Sequence, residues 1–178
     1  MKFLYYYISD YLKPNEIKNL NSRFNKKSEK FTKQAITLKT SKAVQMPYEE
    51  LKKIKDVNYD ILKINREAFG FGLYENINDW AVQNTYKSTN QGEYKWHTDG
   101  EEYDKKFTTK LTTLINLSEK KYSGGDFFLF NNQPMEIKEL SKPGSLIVFP
   151  SFIPHKVTPV TKGTRISLTV FKTGGWWK

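Results

Sequence analysis

The apolar pattern of the chain changes its period near residue 79, and this change limits the folds available to it. Downstream, short runs rich in β-branched and aromatic residues are separated by turn-forming segments such as TNQGE, YSGG, NNQP, KPG and TKG. The runs are DWAVQNTYK, EYKWH, KLTTLINL, DFFLF, MEIKEL, SLIVFP, HKVTPV and RISLTVF. Short strands at this spacing predict a β-sandwich or a jelly roll.

Upstream of the change, the apolar residues recur at helical spacing. In SDYLKPNEIKNLNSRFNK, Pro14 suits a first helical turn, and the segment 48–70 continues the pattern with Gly70 as a plausible C-cap. The spaced apolar residues are Ile17, Leu20 and Phe24 in the first segment and Ile54, Val57, Ile61, Ile64 and Ala68 in the second. These patterns predict two helices that buttress one sheet, with a strand between them inside KQAITLKTSKAV.

The chain shows no linker that would divide it. Its 178 residues match the usual size of one domain. We therefore expect a single domain over 1–178, with a helical scaffold and edge strands in 1–75 and a β core that carries the chemistry in 76–178.

The composition excludes several classes of protein. There is no cysteine, so disulfides and thiolate chemistry are ruled out. The apolar start MKFLYYYI is too short for the core of a signal peptide, and no run approaches the length of about 20 residues that spans a membrane. We expect a cytoplasmic protein without a membrane partner.

The net charge of +10 raises the question of a nucleic-acid partner. Only three of the 29 basic residues are arginine, the residue best suited to phosphates and base edges. The lysines are more typical of a solvated helical face, so we do not expect nucleic acid to be the partner.

The two histidines of the chain lie in EYKWHTDG and FPSFIPHKV. Because residues two apart face the same side of a strand, His97 and Asp99 should point together. With His155 arriving from another strand, they would form the arrangement of two histidines and one carboxylate that is typical of non-haem Fe(II) oxygenases. Zinc accepts the same ligands, so a metal hydrolase stays open at this point.

Arg165 favours the oxygenase. It follows His155 across the turn PVTKG, so it should return on the next antiparallel strand, with Ser167 on its face. A buried guanidinium beside a hydroxyl is a receptor for a carboxylate. An enzyme that chelates a dicarboxylic co-substrate needs such a receptor near its metal, whereas a hydrolase does not.

With these motifs in place, the stretch from about Asn84 to Phe171 resembles the Fe(II)/2-oxoglutarate-dependent dioxygenases of the prolyl 4-hydroxylase-like group. It is most similar to the short forms of bacteria and their phages. The motifs are YKSTNQGEYKWHTD, YSGGDFFLF and PGSLIVFPSFIPHKVTPVTKGTRISL. The resemblance implies a double-stranded β-helix, or jelly roll, with two or three buttressing helices and with Fe(II) held by His97, Asp99 and His155.

The resemblance also implies the residues that bind 2-oxoglutarate. Its distal carboxylate would lie on Arg165, helped by Ser167, and Tyr86 occupies the place of a tyrosine that contacts the co-substrate. Asn116, in TTLINLS, stands where some relatives carry a tyrosine that reaches the same carboxylate.

The implied reaction hydroxylates an unactivated C–H with O₂, releases succinate and CO₂, and can draw on ascorbate as an accessory reductant. No catalytic residue beyond the metal ligands is needed. Peptidyl proline is the implied substrate, in a peptide or protein, with Tyr94 and Phe127 facing it. The polar loop 100–107 is a candidate lid, and the enzyme would be a monomer or a homodimer.

Two other functions remain open at this level. The segments NTY and RISLT echo the AlkB-type nucleic-acid demethylases, although Phe171 stands where that group has a second arginine. A metal-free jelly-roll binding module is the other alternative. Iron content separates the module from the enzymes, and turnover of methylated DNA separates the two enzymes.

Overall fold

The computed structural model describes residues 3–26, 38–74, 80–99, 102–104 and 107–176, with the backbone alone at 102–104. The helices are α1 (Pro14–Lys26), α2 (Tyr48–Lys52) and α3 (Val57–Ile64), which continues into a π-helical turn, Asn65–Phe69. The strands are β1 (Tyr6–Ile8), β2 (Lys42–Pro47), β3 (Trp80–Lys87), β4 (Tyr94–His97), β5 (Glu102–Asp104), β6 (Phe107–Asn116), β7 (Ser123–Gly124), β8 (Phe127–Asn131), β9 (Gln133–Glu136), β10 (Leu146–Pro150), β11 (His155–Val157), β12 (Val160–Lys162) and β13 (Thr164–Gly175).

The described strands form two main antiparallel sheets. The large sheet has the order β1-β10-β6-β13-β3-β2, with β5 also paired to β6. The small sheet has the order β4-β11-β8-β9, and β12 pairs with β7. The predicted mainly β fold with N-terminal helices is confirmed.

The central strands of the large sheet are buried on both faces, since every residue of β10 and all of β6 except Phe107 are buried. In β10, Leu146 and Val148 join a core cluster with residues of all three helices, whereas Ile147 and Phe149 point the other way. The second face packs against Phe127 and Leu129 of the small sheet and their neighbours. The helices therefore support one face of the large sheet, and the site lies on the other face.

The segment 48–70 is not one helix as predicted. The helix stops after α2 and restarts at α3, where the carboxylate of Asp56 accepts a hydrogen bond from the backbone N–H of Tyr59. An aspartate at this position caps a new helix and so favours the break. The end of the segment is as predicted, because Gly70 lies in the left-handed region with φ of 74°.

Three strand predictions are corrected or limited. The run 135–140 is strand only to Glu136, and a 3₁₀ turn covers Lys138–Ser141. The run 155–160 is two strands with different partners, β11 and β12, interrupted next to Pro159, which has no N–H for a ladder. The strand expected in 33–44 begins only at Lys42, and residues 33–37 lie outside the described part of the chain.

None of the helices in the described ranges combines the length and the apolar character that crossing a bilayer requires.

Candidate metal centre and adjoining cavity

Two neighbouring strands of the small sheet bring the two histidines together. His155 of β11 is the register partner of His97 at the end of β4, and the ring centroids are 4.1 Å apart. Asp99 follows the strand, and its backbone N–H donates to the carbonyl of Ser151 at 2.9 Å. One ligand atom from each of the three residues lies within 4.8 Å of the others.

The backbone determines which nitrogen of each imidazole is free. Nδ1 of His97 lies 2.7 Å from the carbonyl oxygen of Lys95, and Nδ1 of His155 lies 3.0 Å from that of Ile153. Because a carbonyl can only accept, both Nδ1 atoms carry the proton. Each Nε2 therefore presents its lone pair to the space beside Asp99, as in metal sites with an oriented second nitrogen.

The ionisation states also suit a cation. Burial and the nearby His155 hold the pKa of His97 to about 4, so this imidazole is neutral at pH 7. Burial raises the pKa of Asp99, but the neighbouring imidazoles and the hydrogen bond from Thr112 outweigh this effect, so the net pKa lies below the ordinary value. Neutral imidazole and carboxylate are the forms that bind a metal.

A threonine orients the carboxylate. The hydroxyl of Thr112 donates to Oδ2 of Asp99 at 2.8 Å, and its oxygen lies 3.0 Å from Oγ of Ser151. Thr112 and Ser151 are fully buried. Because the hydrogen bond goes to Oδ2, it fixes the orientation of the carboxylate plane of Asp99.

Each imidazole has its Nε2 close to an oxygen of the Asp99 carboxylate. Nε2 of His155 lies 3.2 Å from Oδ2 of Asp99, and Nε2 of His97 lies 3.6 Å from Oδ1. Bonds of about 2.1 Å at right angles place donor atoms about 3.0 Å apart. Two imidazoles and one carboxylate on one face, with the opposite positions open, are the donor set of non-haem Fe(II).

A cavity of about 180 Å³ adjoins the three ligands. One wall is the face of the large sheet formed by alternate residues of β13 and β3, and the other is the small sheet with Tyr94 and Phe127. The metal ligands and a set of buried polar side chains therefore face the same space.

Arg165 is the principal charge on the sheet wall. It is only 2% exposed, and its Nη1 donates to Oγ of Ser167 at 3.2 Å. Its register partner is Tyr86, whose ring centroid lies 5.3 Å from the guanidinium carbon. Among the described residues no carboxylate lies within ion-pair distance of Arg165. Burial raises the pKa of Tyr86 to about 12 against the opposing influence of Arg165, so its hydroxyl stays protonated.

Gly125 makes room for this arginine. It has φ of +67°, and a Cβ at this position would lie 2.9 Å from Cδ of Arg165 and 2.9 Å from Val160. Gly125, the second glycine of YSGGDFF, therefore serves the packing of Arg165 as well as the turn into β8.

Tyr94 and Phe127 border the metal ligands. The ring of Tyr94 stacks on His97 with centroids 3.4 Å apart, and Phe127 lies 5.8 Å from the ring of His155. Both line the cavity. Trp96 is 37% exposed and packs edge-on against Phe130 on the outer side of the small sheet.

The structure places Asn116 away from the cavity lining. Its side-chain N–H groups donate to the carbonyls of Leu140 and Ser141, and its oxygen accepts from the backbone N–H of Ser118. These bonds hold the end of β6 to the loop before β10. None of the hydrogen bonds found in the described part of the chain joins Asn116 to Arg165.

Sequence reasoning missed three polar residues of the site, Thr112, Asn84 and Lys39. Thr112 sits in an alternating run in which nothing marks one threonine over another. Asn84 lies two residues before Tyr86 on the same strand, so the sequence alone could have placed both side chains on the same face. Lys39 comes from a lysine-rich segment with no distinguishing pattern. Of the candidate lid 100–107, the described part includes strand β5, which pairs with β6.

Known proteins share both the sequence pattern and the fold. The sequence model of the 2OG-Fe(II) oxygenase superfamily matches residues 82–172, just over half of the chain. No curated protein matches it. A prolyl-4-hydroxylase of Pseudomonas putida has a TM-score of 0.75 at 16% identity, over 96% of this chain and 92% of that one.

Two further structures are similar. The viral collagen prolyl hydroxylase of Paramecium Bursaria Chlorella virus-1, in its 2OG complex, has a TM-score of 0.71 at 20% identity, over 97% of each chain. A prolyl hydroxylase of Trichoplax adhaerens, in complex with a peptide fragment of the hypoxia inducible factor oxygen degradation domain, has a TM-score of 0.69 at 16% identity, over 95% of this chain and 83% of that one. The predicted jelly roll and the predicted resemblance to prolyl 4-hydroxylases are both confirmed. The chain belongs to the 2OG-Fe(II) oxygenase superfamily.

Proposed function

We propose that this protein is an Fe(II)- and 2-oxoglutarate-dependent dioxygenase that hydroxylates a prolyl residue in a peptide or protein and releases succinate and CO₂. The observation that supports it most is the cavity that joins His97, Asp99 and His155 to the buried Arg165. A metal triad and a carboxylate receptor in one cavity suit an enzyme whose co-substrate spans the two.

His97, Asp99 and His155 would hold Fe(II). When bound, this ion supplies the redox chemistry by which O₂ oxidises 2-oxoglutarate and hydroxylates the substrate. The protein's part is to hold both imidazoles by their Nδ1 protons and the carboxylate by Thr112.

Arg165 would bind the distal carboxylate of 2-oxoglutarate. The hydroxyl of Ser167 lies beside the guanidinium, and Tyr86 lies opposite it on β3 with a protonated hydroxyl. Together the guanidinium and the two hydroxyls offer three kinds of hydrogen-bond donor in a buried pocket. These donors would fix the orientation of the bound co-substrate. Binding at a defined angle orients its reactive end towards the triad.

Tyr94 and Phe127 support a prolyl substrate. Their rings flank the triad and line the cavity, so they offer an apolar surface next to the reaction centre. The solved relatives support the same substrate class, since they are prolyl hydroxylases and one of them holds a peptide. Phe171, which lines the cavity where AlkB-type enzymes have a second arginine, favours the hydroxylase over the demethylase.

The first experiment needs no substrate. Purified protein is mixed anaerobically with Fe(II) and then with 2-oxoglutarate, and the visible spectrum is recorded. We expect a weak charge-transfer band that requires both additions. It should be absent in His155→Ala and should need much more 2-oxoglutarate in Arg165→Met, while the exposed Arg66→Met should match the wild type.

Absence of the band in folded, iron-loaded wild type would contradict the oxygenase. If the band forms, proline-containing peptides and methylated DNA are incubated aerobically and followed by succinate release and mass spectrometry. Addition of one oxygen atom to a proline supports the proposal. Demethylation of DNA without peptide oxidation would replace it with the AlkB-type function.

A further inference from the structure

Lys39 reaches the cavity from the segment that connects to β2. Its backbone bridges to Tyr94 of the small sheet, and its side chain lines the cavity. Nζ donates to Oδ1 of Asn84 at 2.6 Å and lies 4.8 Å from the centroid of the Tyr94 ring. The ammonium is thus held between the aromatic ring that stacks on His97 and the polar wall of the large sheet.

This lysine stands apart from the arginine site but continues the same polar row. Asn84 is the register partner of Ser167, and its amide N–H donates to the hydroxyl of Thr169 at 3.2 Å. The row therefore runs from Arg165 through Ser167 and Asn84 to Lys39. Lys39 therefore adds a second positive charge to the lining of the cavity.

The charges in the cavity leave Lys39 without a counter-charge. If the site is occupied as in the proposed function, the divalent cation and the dicarboxylate cancel, as do Asp99 and Arg165. No carboxylate of the described residues lies within ion-pair distance of Nζ. Burial lowers the pKa of Lys39 to about 8, with Asp99 opposing the shift, so the side chain is still mostly charged at pH 7. A largely buried ammonium without a counter-ion costs stability unless a ligand supplies one.

We propose that Lys39 binds a carboxylate that enters this cavity, at a second anion position separate from Arg165. The inference rests on the proposed function, because the cavity must accept carboxylate ligands. Two sources share this chemistry: the metal-proximal carboxylate of 2-oxoglutarate, and a carboxylate of the substrate that is hydroxylated.

The test measures binding in the Fe(II)-loaded protein without O₂. Lys39→Met removes the charge and keeps the length of the side chain, Lys39→Arg keeps the charge, and the exposed Lys63→Met on α3 is the matched control. In the first arm, 2-oxoglutarate is titrated and the visible band gives its Kd. In the second arm, at saturating 2-oxoglutarate, N-acetyl-L-proline and N-acetyl-L-prolinamide are titrated by calorimetry. The second probe carries a neutral carboxamide in place of the carboxylate of the first.

Each source predicts a different result. If the carboxylate belongs to 2-oxoglutarate, Lys39→Met should raise its Kd by about tenfold or more, as for the loss of a charge-assisted hydrogen bond, and Lys39→Arg should raise it less. If it belongs to the other substrate, the Kd for 2-oxoglutarate should stay the same. The wild type should then bind the acid about tenfold more tightly than the amide, and Lys39→Met should lose this preference.

The inference is overturned if Lys39→Met leaves the Kd for 2-oxoglutarate unchanged and also leaves the ratio of the two probes unchanged. A wild type that binds both probes equally, with the same unchanged Kd in the variant, overturns it as well. A wild type that gives no band contradicts the proposed function itself. A normal band that is insensitive to Lys39 contradicts only the second anion position.

Discussion

The hydroxyl of Thr112 donates a 2.8 Å hydrogen bond to Oδ2 of Asp99, the same oxygen that lies 3.2 Å from Nε2 of His155. The bond joins the central strand β6 of the large sheet to a ligand that follows the last residue of β4. The carboxylate of the proposed metal centre is therefore oriented by the opposite sheet, and its geometry depends on how the two sheets pack.

Thr112→Val should weaken metal binding without removing a ligand. Valine fills the same volume, but Asp99 loses its donor, and partners of this kind typically contribute 10–100-fold to metal affinity. Titration with Mn(II) or Fe(II) measures the effect. Thr112→Ser keeps the hydroxyl and should bind nearly as the wild type does. Equal affinity in the valine variant would mean that Thr112 does not orient the carboxylate.

Gly125→Ala should impair the arginine site through contact. The new Cβ would lie 2.9 Å from Cδ of Arg165 in a backbone with φ of +67°. We expect a higher Kd for 2-oxoglutarate, measured by the visible band, and a loss of about 1–2 kcal/mol of unfolding free energy. Gly70→Ala is the matched control, because Gly70 has φ of +74° with nothing within 4 Å. Gly70→Ala should lower the free energy of unfolding without changing the Kd for 2-oxoglutarate. If both variants bind 2-oxoglutarate equally well, contact with Arg165 has no influence on the site.

Asn116→Ala should lower stability and leave co-substrate binding unchanged. The substitution removes the partners of a buried carbonyl, a partly buried carbonyl and a buried backbone N–H, at a cost of about 1–3 kcal/mol. Urea unfolding and the Kd for 2-oxoglutarate check the two halves of the prediction. Ser167→Ala should show the reverse, with weaker 2-oxoglutarate binding and little change in stability. A raised Kd in Asn116→Ala with unchanged stability would restore the contact with the co-substrate that the resemblance implies.

The free energy of unfolding should depend on pH differently in the wild type and in Lys39→Met, because only the wild type carries the Lys39 ammonium. Burial lowers the pKa of Lys39 from 10.5 to about 8, so between these values the unfolded chain binds more protons than the folded one. The unfolding free energy of the wild type should therefore rise with pH, relative to the variant, over this window. One pKa unit corresponds to about 1.4 kcal/mol; because the side chain keeps some solvent contact, we expect a relative gain of about 1 kcal/mol from pH 7 to pH 9.5.

Urea unfolding at both pH values measures the difference. Lys63→Met, which removes an exposed lysine, should follow the wild type at both. A constant difference between the wild type and Lys39→Met would show that Lys39 keeps an ordinary pKa.

The β half of the chain was predictable because its signals are local. Alternation and turn residues identify β3 and β10 to within a residue and also the start of β13, although β13 continues four residues beyond the predicted run to Gly175. The helical half was harder, since the apolar spacing of 48–70 is continuous although Asp56 starts a new helix. A cap depends on one side chain finding a backbone N–H, which periodicity does not report.

The sequence by itself determined the fold class and the kinds of residue at the site. Only two histidines were available, and the position of Asp99 two residues after His97 already brought a carboxylate to one of them. The tertiary structure alone decided which polar groups surround these residues. Thr112 lies on β6 and Lys39 on the segment before β2, and the side chain of Asn116 bonds to the loop before β10. Such contacts arise from sheet pairing between residues far apart in the chain. The register of that pairing depends on which side chains pack together, and no local motif reports it.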